Sequence, residues 1–388
     1  MRIPVCALLL LAFRAAAQTS FVEQGYNHFY NLEYPEAIAE FERAVISQPG
    51  DPELHNHVAQ AIVIQEMYRD GSLESELVSG TNSFLRRAKL NPTPETEKRF
   101  LGEVAKAMSL SEARLQKNPN DQAALYALGI SYGLRSNYYW VVKKAWRDSL
   151  KDANAARRMH NRISELEPGN VDARLVQGLH DYIVGSLPWA YRMLGFMVGL
   201  HGDKQRGIRT VQEVARNGKI NRVDAEIFLC ALCRRENQTR QAIPLVEDLI
   251  RRFPRNYLLR LELSQMYSMA GDGQHALEAV EQIAQLKTRH AEGYDRVPWE
   301  KVYFQEGTIQ FWYNDLDRSL ENLKKVAAAQ DVDLNTGVLA WMRMGQIYDM
   351  THRRTEAMEA YRKAIAYALQ AEAAQESRKY LTAPYHRP

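Results

Sequence analysis

The chain has 388 residues, of which 46% are apolar and 25% are charged, so it can bury a substantial core. Lysine and arginine total 50 and aspartate and glutamate total 47, which gives a formal net charge of +3. Dedicated nucleic-acid binders usually carry a basic stripe and a strongly basic balance of charge. This near-neutral composition therefore argues against a nucleic-acid partner.

Residues 1–17 have the pattern of a secretory signal peptide. Arg2 provides a positive start, residues 5–13 form a short apolar run, and Ala15 and Ala17 offer a small-x-small cleavage site. The apolar run is too short to cross a bilayer. We therefore predict that the mature protein is exported, to a bacterial periplasm.

Residues 18–51 have the pattern of two amphipathic helices. Phe21 and Gly25 lie on one stripe of the first helix, and Ala37 and Phe41 lie on one stripe of the second. Small residues let two antiparallel helices approach closely, while aromatic rings fill the space beside them. We predict that Gly25 and Ala37 lie at the contact of a helix hairpin.

The small residue near the start of the second helix recurs in the second half of the chain. Ala242 and Ala276 are 34 residues apart, and a small residue returns at Ser319 and Ala357 after somewhat longer intervals. Self-similarity at this period indicates a solenoid, in which each helix pair buries its apolar face against its neighbours. We predict four tandem repeats, with the bounds 223–256, 257–290, 300–333 and 338–371.

The repeat pattern is weaker in the first half of the chain. We predict a repeat-containing N-terminal region at 18–118 and a divergent region at 119–222. The divergent region is expected to contain an elongated helix between residue 122 and Pro168, and an apolar hairpin. Residues 372–388 are expected to form a capping helix and a short tail.

Residues 182–200 are apolar on nearly all faces and have the length of a membrane span. Pro188 and Arg192 oppose a span, because one interrupts the helix and the other places a charge at its centre. A buried, kinked hairpin and a surface that contacts lipid or a partner are the other interpretations. The side chains that would form this surface are Trp189, Tyr191 and Phe196.

The repeated anchors resemble the tetratricopeptide repeat, whose order is a bulky residue, a small residue, Tyr, Ala, a bulky residue and Ala. Residues 338–371 supply these anchors as Trp341, Gly345, Tyr348, Ala357, Tyr361 and Ala364. The resemblance implies an all-α, right-handed α-solenoid of helix-turn-helix repeats with an irregular central part. The ~34-residue period gives roughly seven to nine helix pairs.

Residues 185–207 carry a second likeness. The run Gly-Ser-Leu-Pro at 185–188, the apolar residues after it and a Gly-Asp-x-x-x-Gly motif at 202–207 resemble divergent tetratricopeptide proteins of the eukaryotic outer-membrane-protein type. This likeness implies that residues 120–220 belong to the solenoid rather than to a separate domain.

No motif for catalysis, a cofactor or a metal ion stands out. His55 and His57 are two residues apart and point to different sides of a helix, and the sequence contains no His-Glu-x-x-His motif. His180 and Asp181 could form a general-base pair only beside a nucleophile, and no nucleophile motif is present. We therefore expect a protein that is not an enzyme and needs no cofactor.

Cys230 and Cys233 have the spacing of a redox pair. They fall on the packing stripe of a predicted first helix, where small apolar residues belong. Redox pairs of this spacing are typical of a helix start after a strand, and no strand is predicted here. We therefore predict buried structural thiols, with a strained disulfide as the alternative.

The concave groove is the remaining candidate site, because first helices line it in the tetratricopeptide family. The groove positions that the resemblance implies are Tyr26, Tyr30, Phe304, Thr308, Phe311, Trp312 and Gln346. Aromatic residues in a groove suit apolar or aromatic anchors on a partner. The alternative is that Tyr30 and Trp312 pack at the seams between repeats.

These observations predict an exported, non-catalytic scaffold that binds a protein or peptide in its concave groove. The alternative is a membrane-peripheral component of an assembly or transport system. Such a protein would make peripheral membrane contact by docking through residues 185–200.

Overall fold

Every regular element of the protein is a helix in the residues that the computed structural model describes. These residues are 21–69, 71, 73, 90–187, 189, 201–369 and 371–387. The predicted signal peptide at 1–17 lies outside them. The described residues form two compact units: unit 1 comprises those up to Met67 and from 90 to Leu232, and unit 2 comprises the remainder.

Unit 1 is an array of helices joined by short turns. Its helices are α1 (21–30), α2 (Tyr34–Ser47), α3 (Pro52–Arg69), α4 (Pro94–Lys117), α5 (Gln122–Tyr138), α6 (Trp146–Leu166), α7 (Leu175–Gly185), α8 (Lys204–Asn217) and α9 (Arg222–Arg235). The last residues of α3 and α9 belong to unit 2. Successive helices pack as antiparallel pairs, as α5 does with α6 and α7 with α8.

Unit 2 continues the same alternation. Its helices are α10 (Thr239–Arg252), α11 (Tyr257–Met269), α12 (Gly273–Thr288), α13 (Trp299–Trp312), α14 (Leu316–Ala328), α15 (Leu334–Met350), α16 (Arg354–Tyr367) and α17 (Glu372–Thr382). The pairs α11–α12, α13–α14 and α15–α16 pack internally, and α17 packs against α16. Each unit is therefore an all-α array of stacked helix pairs, and the predicted all-α solenoid of helix-turn-helix repeats is confirmed.

The small residues of the repeat lie where the two helices of a pair meet. The side chains at the recurring position are fully buried at Ala37, Ala242, Ala276, Ser319 and Ala357. A Cβ added to Gly25 would clash with the ring of Phe41, and one added to Gly345 would lie 2.5 Å from the ring of Tyr361. The predicted close approach at Gly25 and Ala37 is therefore confirmed.

Serine replaces glycine or alanine at some of these contacts. The Ser319 hydroxyl donates to the Gly307 carbonyl oxygen at 2.6 Å, and the Ser264 hydroxyl donates to the Ala276 carbonyl oxygen at 2.9 Å. Both hydroxyls are buried, and a buried polar group is tolerated when it is hydrogen-bonded. The serines thus join the two helices of their pairs.

The elongated helix predicted between residue 122 and Pro168 is wrong. After α5 the chain forms a π-helical turn at Tyr139–Lys143, and Lys144 adopts a left-handed conformation with φ of 53°. The chain then reverses into α6, whose His160 contacts Gly129 of α5. Neither glycine nor proline marks the reversal, so helical periodicity alone extends the helix through it.

The two cysteines of α9, Cys230 and Cys233, are both buried. Burial raises the pKa of the Cys233 thiol above its ordinary value. A buried thiol of raised pKa is a poor nucleophile, because the thiolate is the reactive form. The prediction of buried structural thiols is confirmed.

The apolar segment is described only in part. Trp189 has 71% of its surface exposed, whereas Tyr191 and Phe196 lie outside the described residues. No helix in the described part of the chain is both long enough and apolar enough to cross a membrane.

Candidate functional site

Two of the predicted groove residues, Tyr26 and Tyr30, form a stacked pair on α1. Their ring centroids are 5.7 Å apart, as expected for residues on one face of a helix. The Tyr26 hydroxyl lies 2.8 Å from Nδ1 of His57 on α3, and the Tyr30 hydroxyl donates to Oδ1 of Asp224 on α9 at 3.0 Å. Tyr30 and Asp224 are 194 residues apart in the chain, so unit 1 curves until its first and last helices meet.

Glu53 of α3 and Tyr126 of α5 complete this site. Burial is the main cause that raises the pKa values of Tyr26 and Tyr126, and the charge of Glu53 adds to both shifts. Tyr126 donates a hydrogen bond to Oδ1 of Asn221 at 2.8 Å. The group, called the tyrosine–carboxylate cluster below, consists of Tyr26, Tyr30, Glu53, His57, Tyr126 and Asp224. All six residues lie on first helices of unit 1, namely α1, α3, α5 and α9.

The two carboxyl groups of the cluster hold their protons more tightly than ordinary side chains do. Burial raises the pKa of Glu53 to about 7, although a hydrogen bond from Asn56 opposes the shift. Burial also raises the pKa of Asp224 to about 6, against the opposing hydrogen bond from Tyr30. Among the described residues, no lysine or arginine contributes to either shift. With these pKa values Asp224 is mostly ionised and Glu53 about half ionised at neutral pH, so the cluster carries negative charge.

The other groups of the cluster stay uncharged. Burial lowers the pKa of His57 to about 4 and raises the pKa of Tyr26, Tyr30 and Tyr126 above the ordinary tyrosine value. The cluster thus combines aromatic faces with desolvated carboxylates. A cation is the chemical group that both features attract.

Among the described residues, no set of three or more His, Cys, Asp or Glu side chains is placed to hold a metal ion. Asp181 forms an ion pair with Arg206 at 2.6 Å. Both ring nitrogens of His180 are buried without a hydrogen bond from a described residue, so His180 and Asp181 do not form a hydrogen-bonded base pair.

The remaining groove candidates lie in unit 2. Phe304 and Thr308 are half-buried on α13, Phe311 and Gln346 are buried, and 49% of Trp312 is exposed. Arg343 of α15 joins three of these residues. Its guanidinium lies 4.3 Å from the ring centroid of Phe311 and 4.9 Å from that of Trp312, and it donates to Gln346 at 3.0 Å. Their role in binding stays a prediction.

Four members of the cluster were missed in the sequence: Glu53, His57, Tyr126 and Asp224. Glu53 and His57 are four residues apart on a first helix, as Tyr26 and Tyr30 are, and this shared spacing was the available signal. Asp224 had no such signal, because only the curvature of unit 1 brings it to Tyr30.

Comparison with known proteins supports the repeat assignment. A family model described as the tetratricopeptide repeat matches residues 234–291. No curated protein matches the chain.

Solved structures show low similarity to the chain. A tetratricopeptide repeat protein from Parabacteroides merdae is 13% identical with a TM-score of 0.35, over 84% of this chain and 99% of that one. Yeast Tom70 is 12% identical with a TM-score of 0.41, over 95% and 96% of the two chains. The human IFIT1 dimer with m7Gppp-AAAA is 14% identical with a TM-score of 0.48, over 93% and 79%. Scores at this level carry no argument about function. The family model thus identifies residues 234–291 as tetratricopeptide repeat, and helix pairs elsewhere in the described residues carry the same small, buried residues at their contacts.

Proposed function

We propose that this protein is a non-catalytic scaffold that binds a segment of a partner protein on the face formed by its first helices. Repeat arrays generally offer extended binding surfaces of this kind. The observation that carries the proposal is the tyrosine–carboxylate cluster. Titratable groups with strongly shifted pKa values are found preferentially at functional sites.

The chemistry of the cluster suits a lysine or arginine side chain of the partner. The stacked rings of Tyr26 and Tyr30 can receive a cation, which gains about 0.5 to 2 kcal/mol over an aromatic face. The carboxylates of Glu53 and Asp224 supply the opposite charge. A bound cation would also offset the cost of keeping these carboxylates out of water.

The test is a selection of displayed random peptides on residues 18–388. We expect the enriched peptides to contain lysine or arginine. Their affinity should fall about tenfold or more, equivalent to about 1.4 kcal/mol, in the double variant Glu53→Gln, Asp224→Asn. Two control variants should bind as the wild type does: Glu112→Gln on α4 and Ile46→Ser on α2, because both side chains are exposed on second helices. Enriched peptides that bind the double variant and the wild type equally would refute the proposal.

Export of the protein is part of the proposal. The positive start, the apolar run and the small residues at 15–17 support a signal peptide. Expression of the whole chain in a Gram-negative host should yield a periplasmic protein that begins at Gln18. A cytoplasmic product that retains Met1 would contradict export.

A membrane-peripheral role is a second candidate, favoured by the exposure of Trp189. A large exposed aromatic side chain in an apolar segment suits the membrane interface. Co-sedimentation of the mature chain with phosphatidylcholine–phosphatidylglycerol vesicles, and its loss in Trp189→Ser, would support this role. A mature chain that stays in the supernatant would exclude it for these lipids.

A further inference from the structure

The chain folds back on unit 2 after α17. Ala383 is extended, with φ of −132° and ψ of 130°. The backbone N–H of Tyr385 then donates to Oδ2 of Asp349 on α15 at 2.8 Å. The Arg387 guanidinium lies 4.9 Å from the ring centroid of Phe311 on α13. Residues 383–387, called the returning segment below, therefore lie against two first helices.

The returning segment covers residues predicted to line the groove. The buried ring of Tyr385 lies 6.4 Å from that of Phe311. Arg387 donates to the Phe311 carbonyl oxygen and, at 3.3 Å, to Oδ1 of Asn314, and it also stacks over Trp312. The receiving surface, called the α13–α15 surface, consists of Phe311, Trp312, Asn314 and Asp349. It contacts a backbone N–H, an aromatic ring and a guanidinium of the returning segment.

The α13–α15 surface is held in place by residues outside the returning segment. Arg354 donates to both carboxylate oxygens of Asp349, at 2.9 and 3.1 Å, and the Tyr361 hydroxyl donates to Oδ2 at 2.9 Å. The rings of Phe311 and Trp312 contact each other edge to face, with centroids 5.2 Å apart. We expect a surface fixed in this way to keep its shape when its occupant leaves, and preformed sites bind at a lower entropic cost.

The returning segment fits this surface imperfectly. Arg343 and Arg387 both stack over the rings of Phe311 and Trp312, so two positive charges share one aromatic pair. The Nε–H of Arg387 is buried and donates no hydrogen bond to any described residue. Like charges repel, and a buried donor without a partner opposes binding. A competing peptide that avoids these defects can displace the segment.

We infer that the α13–α15 surface is a binding site for an extended peptide that carries an aromatic residue and, two positions later, an arginine. The returning segment is an intramolecular occupant with the same pattern, Tyr385 and Arg387, and blocks the site until a partner peptide displaces it. This inference rests on the proposed function, since it assumes that the first helices bind partner segments, and it names the chemistry of one partner.

An intramolecular occupant lowers the apparent affinity for a competing peptide. The apparent affinity falls in proportion to the fraction of molecules whose site is open. Minor states are commonly about 0.1–10% populated, so opening the site should tighten peptide binding by about tenfold or more.

The test uses a fluorescein-labelled peptide with the sequence of residues 380–388 and measures its binding by fluorescence anisotropy. The chain with Tyr385→Ala and Arg387→Ala has an open site and should bind at least about tenfold more tightly than the wild type. A matched peptide that carries the same two substitutions should not bind. Adding Trp312→Ala to the open chain should weaken binding of the original peptide.

Three results would overturn the inference. The peptide does not bind to the open chain, although circular dichroism shows that this chain is folded; it binds the open and wild-type chains equally; or Trp312→Ala leaves its affinity for the open chain unchanged. If the double variant does not fold, the single variant Arg387→Ala replaces it under the same criteria. The peptide selection described above depends on Glu53 and Asp224 in unit 1. If the peptide selection gives the expected result and the anisotropy experiment does not, this inference is rejected and the proposed function is retained.

Discussion

Replacing Glu53 by glutamine should stabilise unit 1 at alkaline pH, although it removes part of the proposed site. The pKa of the folded Glu53 carboxyl is about 7, against 4.5 for an ordinary glutamate. Each pH unit of such a difference corresponds to 1.36 kcal/mol, so keeping Glu53 ionised in the folded state costs about 3 kcal/mol at most. Water at the half-buried carboxylate reduces this cost, and we expect a gain of about 1 to 2 kcal/mol in Glu53→Gln.

The sign of the pH dependence follows from the raised pKa. The folded state holds a proton on Glu53 between pH 4.5 and about 7, whereas the unfolded chain has lost it. The contribution of this group to stability therefore falls as the pH rises through that window. The gain from Glu53→Gln should be largest at about pH 8.5 and should shrink to roughly a quarter of that value at about pH 5.

Urea unfolding followed by circular dichroism at these two pH values measures the effect. The matched control is Glu112→Gln, because Glu112 is an exposed glutamate of the same unit and should change the free energy of unfolding little at either pH. Destabilisation by Glu53→Gln at about pH 8.5, or an equal gain at both pH values, would refute the assignment of a desolvated carboxylate.

Three further predictions follow from the structure. Gly345→Ala should lower the stability of unit 2 by about 1 to 3 kcal/mol in thermal unfolding, because the added Cβ meets the Tyr361 ring. The control Gly133→Ala on α5 places its Cβ more than 4 Å from the nearest such atom and should be neutral or stabilising. Burial lowers the pKa of His160 to about 4 in the folded chain, whereas an unfolded histidine binds its proton at about pH 6.5. The free energy of unfolding should therefore fall as the pH drops from about 6.5 toward 4. Urea unfolding at about pH 5 should show a smaller loss of stability in His160→Phe. Cys230 and Cys233 should react with a thiol reagent slowly in the native chain and rapidly in urea, and fast labelling of the native chain would contradict their burial.

The helix pairs could be predicted because their contacts are local in sequence. Gly25 and Phe41 meet within one hairpin, and the small residues at Ala276 and Ser319 repeat the same local geometry. The spacing of apolar and small residues along a helix therefore predicts such contacts. Periodicity does not predict the reversal at Lys144, because a non-glycine residue adopts positive φ there. The contact between α5 and α6, rather than a local sequence signal, determines this turn.

Only two of the six residues of the tyrosine–carboxylate cluster could be predicted from the sequence. Tyr26 and Tyr30 stand at groove positions of a well-formed repeat. Asp224 contacts Tyr30 because small rotations between successive helix pairs accumulate along unit 1. No local pattern in the sequence predicts the total rotation. For the same reason the returning segment looked like a tail, since its contacts with Phe311 and Asp349 join residues far apart in the chain.

A double-mutant cycle tests the central claim, that the cluster binds a cationic side chain of a partner, most directly. The affinity of one selected peptide, and of the same peptide with its basic residue replaced by norleucine, would be measured against the wild type and the variant Glu53→Gln, Asp224→Asn. We predict that the two changes are not additive, with a coupling of about 1 kcal/mol or more, because each removes the same interaction. Additive effects would show that the basic residue binds elsewhere, and they would contradict this account.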